Sequence, residues 1–239
     1  MAGKVEVSRK ELTRLCGEAG FAPSPKELDD LATYMEFLLH WNRSMNLVGT
    51  RTWQDTFTTL VVDSLHVHKF LQSLNIPENP ISWDLGAGAG LPGIPLRVLW
   101  HDGEYTLVDA REKRTIFMGM ALAQCPQART KVFTGRAEVF MAQECKADRP
   151  ADIIISRAFM PWRELLDFVN GHMKSQVTNK AKESAEAEGS QVDENQASRI
   201  IFLTLEPMPQ DIPEGWQAEA EMAYDTRVGR RYLWSIQPS

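Results

Sequence analysis

Apolar positions in the N-terminal third of the chain recur at helical spacing. After Ser24-Pro25, which sets proline at a first helical position, Leu28, Leu31, Met35, Leu38 and Leu39 share one face to about Trp41. Phe57, Leu60, Val61, Ser64, Leu65, His68 and Leu71 follow the same template. Asn75, Pro77, Asn79 and Pro80 then end it with turn and breaker residues, so the pattern predicts an N-terminal helical lobe over 1–80.

From residue 81 the period changes. Short β-type runs at Ile81 to Leu85, Tyr105 to Asp109, Thr130 to Thr134 and Ile153 to Ser156 alternate with helical stretches that begin at 92, 112, 136 and 161. That alternation predicts βαβ units and a mostly parallel sheet covered on both faces. Ile200 to Leu205 adds a strand, and Ala218 to Tyr224 with Arg231 to Ile236 forms a closing antiparallel pair, about seven strands in all. The expectation for 81–239 is therefore an α/β domain. Lys174 to Ser198 interrupts it: these residues include no Leu, Ile, Met or aromatic side chain, too little apolar surface to order themselves, and are expected to form a mobile insertion.

Composition narrows the classes. The 239 residues carry 26 Lys+Arg against 32 Asp+Glu, a net charge of −6, which excludes a protein that coats nucleic acid by bulk charge but leaves room for a local basic contact. Cys16, Cys125 and Cys145 are odd in number and form no CxxC pair, as expected for reduced structural thiols in the cytoplasm. The charged N-terminus lacks a signal-peptide core, and no run reaches the ~18 apolar residues of a membrane span. The expectation is a soluble monomer with no membrane partner.

Chemistry concentrates in Asp84-Leu-Gly86-Ala-Gly88-Ala-Gly90-Leu-Pro92-Gly93, where the first strand hands over to a helix. Glycines permit a sharp turn and close approach of a ligand, and free N–H groups at a helix start favour an electron-rich partner. Gly88, Gly90 and Gly93 satisfy the dinucleotide pattern GxGxxG, which keeps a nicotinamide oxidoreductase open. An acid at the strand end before GxGxG suits S-adenosylmethionine better, because that ligand carries a cationic amino group and no pyrophosphate. Asp109 ends the second strand, where a carboxylate can accept both hydroxyls of a ribose. The plainer alternative is that Asp84 and Asp109 only cap a turn and a helix.

Trp41-Asn-Arg-Ser-Met-Asn46-Leu, Asp63-Ser-Leu65, the glycine loop, Arg136-Ala-Glu138 and Ser156-Arg-Ala158 follow in this order. With these motifs the chain resembles the bacterial 16S rRNA guanine-N7 methyltransferases, the glucose-inhibited division protein B family, over about residues 28 to 172. The resemblance implies a Rossmann-like class I S-adenosylmethionine-dependent methyltransferase, with a seven-stranded, mostly parallel sheet and an N-terminal helical lobe. It also implies methyl transfer to N7 of a guanine in the 530 loop of 16S rRNA, on the RNA or the small ribosomal subunit. The family's cofactor contacts fall on Gly86, Leu91, Ala137, Glu138 and Arg157, beside Asp84, Gly88 and Asp109 from the loop and second strand. Two departures stand out: Thr59-Leu60 replaces a usual Arg-His pair, and Thr204-Leu-Glu206 replaces a usual Lys-Gly. They motivate a second reading, a non-catalytic ribosome-assembly factor that retains the cofactor fold.

N7 of a neutral guanine has a free in-plane lone pair, so alignment matters more than a general base. That edge lies in the deep groove of A-form RNA, so the target sits in a loop or is turned out of its stack. Phe159 and Trp162 either stack on such a base or pack their helix on the sheet. Asn42 and Asn46, at the expected end of the second helix, either position the guanine or cap and turn the chain, and Arg157 is a third positioning candidate. Arg136, Phe159, Arg230 and Arg231 are candidates for RNA contact. Arg111, Lys113, Arg114, Arg129, Lys131 and Arg163 extend these into a possible one-sided basic surface. His40, His66, His68, His101 and His172 form no ligand pattern, and no metal is expected.

Overall fold

The computed structural model describes residues 5–173 and 198–239. The expected mobile insertion therefore lies outside the described residues, apart from Ser198, which is buried against the sheet.

Helices α1 (Arg9–Glu18), α2 (Pro25–Met45), α3 (Trp53–Thr56) and α4 (Val62–Ser73) come first, with a π-helical turn at Phe57–Val61 joining the last two. Helix α2 begins as the sequence predicts. The Ser24 hydroxyl accepts from the Glu27 N–H, the Glu27 carboxylate accepts from the Ser24 N–H, and Pro25 stands in the first turn. It runs four residues beyond Trp41 and stops where Asn46 takes a left-handed conformation, φ 48°. Its inner face is Leu31, Ala32, Tyr34, Met35, Leu38, Leu39 and Asn42, all buried.

The sheet has seven strands: β1 (Ile81–Leu85), β2 (Glu104–Asp109), β3 (Thr130–Thr134), β4 (Ile153–Arg157), β5 (Arg199–Thr204), β6 (Trp216–Thr226) and β7 (Gly229–Pro238). Their order is β3-β2-β1-β4-β5-β7-β6. The first five pair in parallel, and β7 lies antiparallel between β5 and β6. This antiparallel insertion departs from the dinucleotide-binding order, in which the sixth strand follows the fifth directly. Helices α5 (Gly93–Leu99), α6 (Glu112–Gln124), α7 (Ala137–Lys146) and α8 (Trp162–Val169) provide the crossovers.

The two-residue alternation of each strand divides the core. Tyr105, Leu107, Ile153, Ile155, Ile201 and Leu233 face α1, α2, α4, α5 and α6, whereas Trp83, Leu85, Val108, Ile154, Ile200 and Phe202 face α7 and α8. The N-terminal helices thus share one core with a face of the sheet. Asp84, Arg157 and Arg231 fall on the parity of that lobe-facing side. No helix among the described residues is long and apolar enough to cross a membrane.

Candidate functional site

The reversal of strand order beside β1 leaves a cleft at the carboxyl ends of the strands, as in open α/β sheets generally. Its volume is about 690 Å³, and its wall includes Gly86, Asp109, Arg111, Arg136, Ala137, Glu138 and Phe159, with Ala158, Met160 and Phe168 closing one side. Four of the expected cofactor residues, Gly86, Asp109, Ala137 and Glu138, and two of the RNA candidates, Arg136 and Phe159, thus come together.

The glycine loop is pinned from several sides. Gly86 and Ala87 donate their N–H groups to the Val108 carbonyl, at 2.9 and 3.0 Å. The Tyr34 hydroxyl of α2 donates to the Ala89 carbonyl at 2.9 Å, which ties the lobe to the loop. Gly86 has φ 74°, and a Cβ there would lie 2.5 Å from Phe159 Cδ2. The ring of Phe159 rests on that bare backbone and meets Phe168 edge to face, 5.8 Å between centroids. Both stacking and packing contacts are therefore open to it.

Asp109 forms the floor. It is 3% exposed and accepts four hydrogen bonds: from the N–H groups of Gly88 (3.0 Å) and Arg111 (2.9 Å), and from Nε and Nη2 of Arg111 (both 2.9 Å). Burial pushes its pKa up, but the Arg111 bonds and charge outweigh it, and the carboxyl sits below its ordinary range. Gly88 gives its amide to Asp109, and Arg114 Nη1 would lie 2.9 Å from a Cβ there. Glu138 is exposed, bonds its own N–H and pairs with Arg136 at 3.1 Å; these contacts hold its pKa down.

Other expectations need correction. Asp84 does not face the cleft. Both faces of β1 are covered, and the pleat turns Asp84 toward the lobe, where it is 1% exposed and accepts from the Tyr105 hydroxyl at 3.2 Å and from the Gly93 N–H. Burial raises its pKa to about 7, against the hydrogen bonds from Tyr105 and Gly93 and the charge of Arg157. The start of α5 is accordingly not an open anion site: the Gly93 amide serves Asp84, and the Ile94 amide donates to the Gly90 carbonyl at 2.7 Å. Leu91 is buried in the lobe-side core rather than in the cleft wall.

Asn42 is a structural tie and not a guanine contact. Its amide donates to the carbonyls of Val48 (2.9 Å) and Thr50 (3.0 Å) and accepts from the Val48 N–H (2.9 Å), which occupies its side chain in the loop after α2. Asn46 is the exposed left-handed cap of that helix. Arg157 ends β4 one residue before the cleft wall but turns to the lobe face, where its Nη2 lies 3.0 Å from Asp63 Oδ2. Arg231 shares that oxygen at 2.5 Å, and Arg230 is exposed on the opposite parity of β7.

The basic residues do not form one surface. Arg129 and Lys131 lie at the start of β3, the strand end remote from the cleft, bound to Asn79, the His101 carbonyl and Glu104. Arg163 pairs with Asp211 and stacks over Trp162, 4.3 Å from its centroid. Trp162 itself meets Trp234 edge to face, so it packs on the sheet. Of the departures, Thr59-Leu60 falls in the π-helical turn just before Asp63, and Thr204 closes β5 with a turn in which the Glu206 N–H donates to its hydroxyl at 3.0 Å. His66 stacks on Tyr224 at 3.9 Å, and burial lowers its pKa to about 4, so it is a neutral packing residue. Among the described residues no three His, Cys, Asp or Glu side chains come together as a metal site.

Sequence reasoning assigned no role to Asp63 or Tyr224. Asp63 stood only as part of the Asp63-Ser-Leu65 motif; its partners Tyr224 and Arg231 lie 161 and 168 residues away, and Arg157 also reaches it.

Known proteins resemble the chain in sequence and in fold. The chain matches the family described as rRNA small subunit methyltransferase G over residues 27–202. It is 59% identical to the ribosomal RNA small subunit methyltransferase G of Nitratidesulfovibrio vulgaris (strain DP4), covering 100% of this chain and 98% of the relative. The protein of the same name from Oleidesulfovibrio alaskensis is 40% identical, over 95% and 92%. Among solved structures, a Klebsiella pneumoniae protein described as an O-methyltransferase superposes with a TM-score of 0.52 at 12% identity, covering 96% of each chain, which establishes the shared fold.

Proposed function

The chain belongs to the rRNA small subunit methyltransferase G family, and on that premise we propose that it transfers the methyl group of S-adenosylmethionine to N7 of a guanine in the 530 loop of 16S rRNA. The observation that carries this reading is the cleft itself: a buried carboxylate, Asp109, at the end of β2, beside Ala137-Glu138 at the end of β3, under a loop whose Gly86 has no room for a side chain.

These residues fit the cofactor. Asp109 has the chemistry to accept two ribose hydroxyls, and the Gly88 and Arg111 amides fix its orientation. Glu138 and the backbone at the start of α7 offer an acceptor and a donor to a purine edge. Phe159, Met160 and Phe168 give an apolar wall that excludes water from the reacting edge. When bound, S-adenosylmethionine supplies a methyl group already activated on a sulfonium sulfur.

The protein's task is then alignment, which supplies up to ~7–11 kcal/mol of a barrier when two reactants are held as a near-attack pair. No side chain has to remove a proton, because N7 of neutral guanine carries none. Asp109 and Glu138 place two carboxylates in the cleft wall, each paired with an arginine, Arg111 and Arg136, so these four side chains balance in charge. Phe159 offers a stacking face for a guanine turned out of its loop, worth about 1–3 kcal/mol.

Purified protein with labelled S-adenosylmethionine, tested on small subunits and on 16S rRNA that lack the modification, is expected to yield labelled 7-methylguanosine. Cofactor binding without label on either substrate would replace this reading with the non-catalytic assembly factor.

A further inference from the structure

Strands β6 and β7 form a hairpin whose closed end stands at the carboxyl edge of the sheet, the edge that holds the cleft. The last β5 pair is Thr204 opposite Tyr232, so Gly229, Arg230 and Arg231 run on past it. At about 3.4 Å per residue the overhang is roughly 10 Å. Strand β6 stays paired with β7 to the tip, Asp225 with Arg230 and Thr226 with Gly229, and Arg227 and Val228 make the two-residue turn. The Thr226 hydroxyl closes that turn, donating to the Gly229 carbonyl at 2.8 Å and accepting from the Val228 N–H at 3.3 Å. The tip is thus shaped before any partner arrives, which lowers the cost of binding one.

Its face and its charge say what it meets. Arg230 alternates with Tyr232 and Trp234 on one side of β7, and those two rings pack in the cluster that also takes in Phe159, Met160 and Phe168 of the cleft wall. Arg227, Val228 and Arg230 are exposed, and neither guanidinium has an ion pair or hydrogen bond among the described residues, not even with Asp225 across the hairpin. At the remote end of the sheet, by contrast, Arg129, Lys131 and Arg149 are held by Asn79, the His101 carbonyl and Glu104. A chain of net charge −6 therefore keeps two uncommitted guanidiniums on a projection beside its cleft. A polyanion fits them, since a guanidinium matches phosphate oxygens.

We propose that the β6–β7 hairpin is a docking arm for the RNA backbone, with Arg227 and Arg230 each meeting a phosphate and Val228 covering the sugar between them. This rests on the methyltransferase reading and adds to it where the RNA is held. Phosphate contacts fix register without reading sequence. The arm therefore sets the position of the strand while the cleft takes the base.

The test uses the full-length protein with Arg227→Gln, Arg230→Gln and the double variant. Lys146→Gln is the control, an exposed cation at the far end of α7, about 15 Å along that helix from the cleft. Filter binding to small subunits that lack the modification, across a salt series, reads RNA affinity without turnover, and calorimetry with S-adenosylhomocysteine reads the cofactor site. The double variant is expected to lose about tenfold in RNA affinity, with the slope of log affinity against log salt reduced by about one to two, and each single variant about threefold. Lys146→Gln should keep both affinity and slope, and cofactor affinity should stay within about twofold throughout. An unchanged slope in the double variant would overturn the arm, and if wild-type protein still transfers the methyl group the reaction stands without it. An equal loss in Lys146→Gln would also overturn it, by showing that bulk charge is what the RNA meets. The expected loss of slope in a protein that transfers no methyl group would support the arm and count against the reaction.

Discussion

The guanidinium of Arg111 takes both oxygens of the Asp109 carboxylate, Nε on Oδ1 and Nη2 on Oδ2, each at 2.9 Å. With the amides of Arg111 and Gly88 on the same two oxygens, all four acceptor positions are filled. A ribose diol therefore bonds Asp109 by displacing the guanidinium, while the two amides stay. The Arg111 side chain is 58% exposed, so the pair it gives up is worth only about 0–1 kcal/mol. Arg111→Ala is expected to bind S-adenosylhomocysteine as tightly as the wild type or up to about fivefold more tightly. Asp109→Ala should lose roughly 1.5–3 kcal/mol. Calorimetric titration separates them, and weaker binding by Arg111→Ala would make the guanidinium a ligand contact instead.

Gly86 is constrained twice. Its φ of 74° costs a non-glycine residue about 1–2 kcal/mol, and the added Cβ would meet Phe159 Cδ2 at 2.5 Å. Gly86→Ala should push the Phe159 ring out of place and weaken cofactor binding by about tenfold. The double variant Gly86→Ala/Phe159→Ala removes the clash and is expected to recover part of that loss. Strict additivity in this double-mutant cycle would show that the ring and the loop do not communicate.

The strands were legible because a central sheet strand reads as a short apolar run between breakers. All seven strands occur where the pattern places them, to within about two residues. The lobe was less so. A π-helical turn adds a residue to the helical count, so the single periodic run from Phe57 to Leu71 conceals a junction at Val61. The direction of Asp84 was not legible at all. Both faces of β1 are buried, so nothing local says which side an acid takes, and only its register opposite β2 brings it to Tyr105. The direction of Arg157 was hidden for a related reason. Sequence order set it beside the cleft, but the pleat turns it to the face where Asp63 waits, a contact between elements distant in the chain.

Asn42 shows the same contrast between an amide that looks available and one that is spent. Its three hydrogen bonds close the loop from Val48 to Thr50. Asn42→Ala leaves a buried N–H and carbonyl acceptors without that partner, at a cost of about 1.5–3 kcal/mol in urea unfolding. Cofactor affinity should change by less than about twofold. A variant as stable as the wild type but slow in methyl transfer would return Asn42 to the substrate.

Asp84 makes stability depend on pH. Its carboxyl is raised to about 7 in the folded protein, chiefly by burial, against an ordinary value near 4 in the unfolded chain. Between those values the folded state holds a proton that the unfolded state has released. The stability this provides is full below about pH 4 and is lost as pH rises through 7. His66 acts in the opposite sense. Its pKa is lowered to about 4, so its contribution is present above its unfolded value near 6.5 and disappears as pH falls toward 4. The two slopes offset each other between about pH 4 and 6.5, and the wild-type curve alone cannot isolate either. Asp84→Asn can, because it removes one titration and leaves the other. From pH 5 to pH 8 the stability of the wild type relative to this variant should fall by about 2–3 kcal/mol, at ~1.4 kcal/mol per pH unit over the titrating range. A constant difference across that range, measured by urea unfolding, would show that Asp84 is ionised throughout and that the hydrogen bonds from Tyr105 and Gly93 outweigh its burial.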